Sequence, residues 1–99
     1  MLHPKFIIEG ENLILGKCEY HKHLATNKEN VKGGGWFRFD AYKHAFILGG
    51  KSFDFGYADI EDIRTCVQKG NVFKDKNLTR NLQGFHFIYD TQSELIELN

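Results

Sequence analysis

Three consecutive glycines, Gly33-Gly34-Gly35, are the densest local signal in this chain. Residues without a Cβ can adopt positive φ and turn successive backbone N–H groups into a concavity suited to an anion, with phosphate as the obvious candidate. The same triplet also reads as a flexible turn and nothing more. A second run, Gly49-Gly50-Lys51-Ser52, invites comparison with the end of a P-loop, whose backbone and lysine hold phosphates. The comparison fails three ways. The leading glycine of the motif would fall at Ala45, the residues after Ser52 read as β rather than helix, and the chain is short for a P-loop nucleotidase.

Cys18, His21 and His23 are close enough in sequence to suggest a metal, since thiolate and imidazole are zinc ligands. If Leu13 to His23 stays extended, His21 and His23 share a face and Cys18 points to the other, which leaves two ligands where three or four are needed. No metal is therefore expected. Two histidines on one face fit a solvated patch or a general base with a neighbour, because an unperturbed imidazole titrates near neutral pH. His86, between Phe85 and Phe87, should face away from the apolar side, and His3 and His44 read as surface or turn residues. Lys69, Lys74, Lys76 and Arg80 read as a solvated basic face.

The elements that must position these groups are legible as β runs and one helix. Phe6 to Glu9 and Leu13 to Tyr20 are rich in Ile and Leu and flank Gly10-Glu11-Asn12, which has hairpin-turn chemistry. The polar stretch from His21 to Lys32, leading into the glycines, reads as a loop. Trp36 to Phe39 and Ala45 to Leu48 read as a second hairpin around Asp40 to Lys43. From Asp59 to Lys69, Ile60, Ile63 and Val67 recur at helical spacing, with Asp59 as N-cap, Asp62 in the first turn and Gly70 at C′. Asn71 to Gln83 is polar, and Gly84 to Tyr89 and Glu94 to Leu98 read as closing strands around Asp90-Thr91-Gln92-Ser93. The expected architecture is α+β: a small mixed or largely antiparallel sheet with one clear helix at 59–69.

Ninety-nine residues without a repeat or linker fit one domain, 1–99, with room for one modest core. Nine Phe, four Tyr and one Trp bring enough aromatic area to hold it together. Thirteen basic against thirteen acidic residues leave no global field to attract nucleic acid or anionic lipid. No run approaches the roughly 18 apolar residues of a membrane span, and the start Met1-Leu2-His3-Pro4-Lys5 lacks a long apolar stretch. Cys18 and Cys66, with no signal peptide, read as buried reduced thiols. The expectation is a soluble cytoplasmic protein without a cofactor and without nucleic-acid or membrane partners. The oligomeric state is not encoded in these features.

From Gly33 onward the spacing is more specific. Gly33-Gly34-Gly35, fourteen intervening residues and then Gly50-Lys51-Ser52-Phe53-Asp54-Phe55-Gly56-Tyr57-Ala58 resemble the phosphohistidine phosphatase (Janus/Ocnus) family, over Gly33 to about Lys69. That family has a triple glycine, a strand pair of this length and a Gly-x-Ser-x-x-x-Gly-x-Ala element leading toward a helix. The resemblance implies a mixed sheet flanked by helices and a histidine acting as general base on a water that attacks phosphate. Tyr20-His21 matches the family's Tyr-His context, so the resemblance implies His21 as the base. Gly33, Gly34, Gly35, Trp36, Lys51, Ser52 and Phe53 would form the phosphate site, and the ligand would be a phosphorylated protein or a small phosphorylated molecule. Trp36 stands where the familiar phosphatases carry an arginine, which removes a bidentate phosphate partner. The segment from His21 to Gly33 is also shorter than in the family.

Two readings follow. In the first, His21 activates water, the N–H groups of Gly34 to Trp36 and of Phe53 cradle the phosphoryl oxygens, Ser52 donates a hydrogen bond, and Lys17, Lys51 or Arg38 supplies charge. In the second, the same scaffold is a non-catalytic module that recognises a peptide or another anion through the glycines and Trp36, Phe53 and Tyr57.

Overall fold

The computed structural model describes all 99 residues. Seven strands form one curled sheet: β1 (His3–Glu9), β2 (Asn12–Cys18), β3 (Val31–Asp40), β4 (Ala45–Gly49), β5 (Val72–Lys74), β6 (His86–Asp90) and β7 (Leu95–Glu97). Their spatial order is β5-β2-β1-β3-β4-β6-β7. The β2/β5 and β4/β6 pairs are parallel and the other four are antiparallel, so the sheet is mixed. No helix is long and apolar enough to cross a membrane.

The single α-helix, α1 (Ile60–Lys69), forms where its local signals place it. Asp59 accepts a hydrogen bond from the Glu61 N–H at 2.8 Å, which satisfies one of the first-turn donors that a helix leaves open. Gly70 ends the helix in the left-handed region at φ 73°, with its N–H directed at the Cys66 and Val67 carbonyls. Ile63 and Cys66 are buried against the sheet.

Side-chain alternation divides the core into two faces. Phe6 and Ile8 of β1, Leu13 and Leu15 of β2, Phe37 of β3, and Phe46 and Leu48 of β4 join Ile63 and Cys66 of α1 in one large cluster. Ile7 points the other way, where it packs with Cys18 and Leu24. Cys18 and Cys66 are both free and buried, on opposite faces of the sheet.

Four local expectations change. The stretch from His21 to Lys32 is not an open loop: it contains 3₁₀ turns at His21–Leu24 and Lys28–Asn30. The strand expected at Trp36 begins at Val31 and runs through all three glycines, because neighbouring strands supply the pairing that glycine propensity opposes. Ser52 to Gly56 is a tight turn closed by a single bridge rather than a β run. Val72–Lys74, read only as part of a polar stretch, pairs with β2 as an edge strand.

Candidate functional site

β2 ends at Cys18, and the chain then winds into the 3₁₀ turn His21–Leu24, in which the His23 N–H donates to the Tyr20 carbonyl at 3.0 Å. Three residues per turn bring i and i+3 to one side. His21 and Leu24 are accordingly buried, while Lys22 and His23 are exposed. Strand alternation would have paired His21 with His23, and the 3₁₀ period is the reason it does not. His23 instead sets its ring edge-on to Tyr20, 5.7 Å between centroids.

The His21 ring, 6% exposed, lies over the backbone of β3. Its Nε2 is 2.7 Å from the Gly35 carbonyl oxygen. A carbonyl only accepts, so Nε2 carries the proton and Nδ1 carries the lone pair. No buried side-chain nitrogen or oxygen lacks a partner, and Nδ1 has none in the protein, so it reaches the surface. Burial pushes the His21 pKa below its ordinary value; the bond to Gly35 opposes that shift, the Lys5 charge adds to it, and the Asp54 charge opposes it. The imidazole is therefore neutral at pH 7, with its free base outward.

The glycine triplet explains how the ring fits. In β3, Gly33, Gly34 and Gly35 pair with Ile8, Ile7 and Phe6. A Cβ on Gly34 would stand 3.2 Å from His21 Cδ2 and would run into the Phe6 carbonyl. One on Gly33 would strike the Tyr57 carbonyl, and one on Gly35 the Gly49 carbonyl. The triplet therefore admits a histidine ring and a crossing chain against the sheet. Its N–H groups alternate along a strand instead of converging, and that of Gly34 donates to the Gly56 carbonyl at 3.1 Å.

The Ser52–Gly56 turn abuts the same glycines. Ser52 is 1% exposed, and its Oγ accepts from the N–H groups of Asp54 (3.1 Å) and Phe55 (3.0 Å). The Ser52 N–H donates to the Gly56 carbonyl at 3.0 Å, and the Gly56 N–H donates back to the Ser52 carbonyl at 2.9 Å. Ser52 thus shapes the turn. Asp54 accepts from the Lys22 N–H at 3.3 Å, and Phe55 packs on the Ile7–Leu24 cluster, so the turn is tied to the histidine turn. His21 and Ser52, separated by 31 positions in sequence, belong to one corner. Phe53 stands 92% exposed at the tip, and its N–H meets no protein acceptor.

The remaining expected residues divide. Lys51 holds its ammonium 5.8 Å from the Tyr57 ring centroid, at the edge of the corner. Trp36 is half-buried over Gly49 and Gly50, where its indole blocks any Cβ, and it packs on the Ala45–Ile47–Ile88 cluster. Lys17 and Arg38 lie further along β2 and β3, around a separate cavity. The cation that His21 feels is Lys5, which sequence reasoning passed over. Lys5 is two residues before Ile7 on the same face of β1 and pairs with Trp36 and Gly16. Its alternation with Ile7 was readable, but its nearness to His21 depends on strand order.

The corner thus presents a neutral imidazole with an outward lone pair, a cation and one unengaged backbone donor. That set can take a proton from water or hold an oxyanion. No family model, curated protein or solved structure matches the chain.

Proposed function

We propose that the corner formed by His21, Lys5 and the Ser52–Phe53 turn binds a phosphoryl group and hydrolyses it from a phosphohistidine, as the resemblance to the Janus/Ocnus phosphatases implies. The carrying observation is the Nε2 bond to Gly35, which commits one nitrogen as donor and leaves Nδ1 as the base. Nδ1 takes a proton from water as the water oxygen bonds to phosphorus. The P–N bond breaks, the departing imidazole nitrogen takes a proton from solvent, and His21 returns the proton it removed from the attacking water to solvent. Lys5 and the Phe53 N–H offset charge on the phosphoryl oxygens, in place of the arginine that Trp36 replaces. The ligand is a phosphorylated protein or a small phosphorylated molecule, and two free buried thiols fit a cytoplasmic setting.

The test is ³¹P NMR of a phosphohistidine peptide mixed with the wild-type chain or with His21→Gln. Phosphate release should fall by about 10²-fold or more in the variant, the range for a lost general base. Equal release by the two proteins would refute the assignment.

A second reading has its own support. The Gly34 N–H is already bonded and the Asp54 carboxylate borders the corner, while Phe53 is 92% and Tyr57 68% exposed. Those features suit a module that binds a peptide without turning it over. Binding without phosphate release, weakened by Phe53→Ala, would select it.

A further inference from the structure

On the opposite face of the sheet from His21, a cavity of about 260 Å³ opens between the ends of β2 and β3 and the segment Leu78–Arg80. Its floor is apolar: Phe37, Phe39, Phe46 and Leu78. Its rim is cationic. Lys17 follows Leu13 and Leu15 at two-residue spacing, on the face of β2 that faces the core, and stands beside Pro4 by register. The Arg80 guanidinium lies 3.9 Å from the Phe39 ring centroid. No carboxylate lines the cavity, and neither Lys17 nor Arg80 takes part in an ion pair. Arg38 also lines the cavity, but its guanidinium is paired with Asp40 at 4.0 Å. The Lys74 ammonium donates to the Thr79 and Arg80 carbonyls at 3.5 and 3.3 Å, which holds the covering segment in place.

An aromatic floor with two lining cations outside any ion pair, Lys17 and Arg80, in a chain of zero net charge, is complementary to a molecule that is apolar at one end and anionic at the other. We propose that this cavity binds a small organic carboxylate with an apolar body of benzoate to octanoate size, its carboxylate held between Lys17 and Arg80. The body displaces water from Phe37, Phe46 and Leu78. The planar Arg80 fork, already set on Phe39, accepts the carboxylate without further ordering. The site is independent of the chemistry at His21.

The experiment is an amide NMR titration of the full chain with octanoate, acetate and 1-octanol in turn. Octanoate should shift the amides of Phe37, Phe39 and Leu78 to Arg80, and acetate should leave them unchanged. Octanol should bind about tenfold more weakly than octanoate, a difference of one charged contact. Lys17→Gln combined with Arg80→Gln alters two exposed side chains. The pair should weaken octanoate binding by about tenfold or more and leave octanol binding alone. Equal affinity for octanol and octanoate, unchanged octanoate binding by the double variant, or no shift at Leu78 to Arg80 with millimolar octanoate would each overturn the proposal.

Discussion

The two faces of the sheet are held together very differently. Beneath α1, thirteen buried residues form one continuous cluster. At its centre Phe46 touches four other aromatic rings, those of Phe37, Phe39, Phe85 and Phe87, with centroids 5.3 to 6.0 Å apart. Across the sheet, the His21 corner rests on three buried residues, Ile7, Cys18 and Leu24, edged by the partly buried Ile14, Ala25, Val31 and Phe55, and is roofed by short turns and by hydrogen bonds such as His21 to Gly35. Apolar burial scales with area, so the first face carries most of the stability. The second carries a smaller strand cluster, Ala45, Ile47 and Ile88, and its His21 corner is assembled from turns, where polar groups can remain near the surface and available for chemistry. A ring buried on bare glycine backbone is affordable there because the rest of the sheet is secured from the other side.

The contrast can be broken most directly in the core. Phe46→Ala should destabilise the chain by about 3–5 kcal/mol in urea unfolding, while Leu24→Ala should fall near the low end of about 2–5 kcal/mol. Equal losses would remove the asymmetry. Gly33→Ala drives a Cβ into the Tyr57 carbonyl and should lower stability by about 1–3 kcal/mol. Amide shifts for that variant should spread from Ser52 to Ala58, and their absence would mean that the triplet is not needed for close approach. Asp59→Ala removes the α1 cap and should lower stability by about 1 kcal/mol, with no effect on the His21 resonances.

The finest test is titration. His21 has a folded pKa below its unfolded value near 6.5, so between those two values the unfolded chain holds more protons. Its contribution to stability is fully present above about pH 6.5 and is lost as pH falls through the folded value. The difference in unfolding free energy between wild type and His21→Gln should bend in that window. A flat difference would show that the ring is not desolvated. Lys5→Met should raise the His21 pKa and Asp54→Asn should lower it, read from the ring-proton shifts. No movement in either variant would detach those residues from the corner.

Local signals were legible because their physics is local. The Asp59 cap, the apolar spacing of Ile60, Ile63 and Val67 and the Gly70 stop operate within a few residues, and α1 forms between them as read. Alternation likewise marked Phe85 and Phe87 as flanking a differently directed His86, which is exposed and 3.6 Å from Glu97. The glycines misled for an equally physical reason. Read alone, three residues without Cβ signal freedom, whereas between β1 and the Ser52–Gly56 turn they signal close approach.

From the sequence itself came an α+β domain, with a mixed or largely antiparallel sheet and one capped helix, because propensity, capping and alternation are properties of short segments. Only the tertiary structure decided that β4 and β6 run parallel, that His21 turns inward on a 3₁₀ period, and that Lys5, Gly35 and Asp54 converge on its ring. The β4/β6 pairing joins residues 41 positions apart, and the contacts of the His21 ring join residues 14 to 33 apart. They are settled by which strands pair and in what register, and a one-residue shift of β1 would turn Lys5 to the other face.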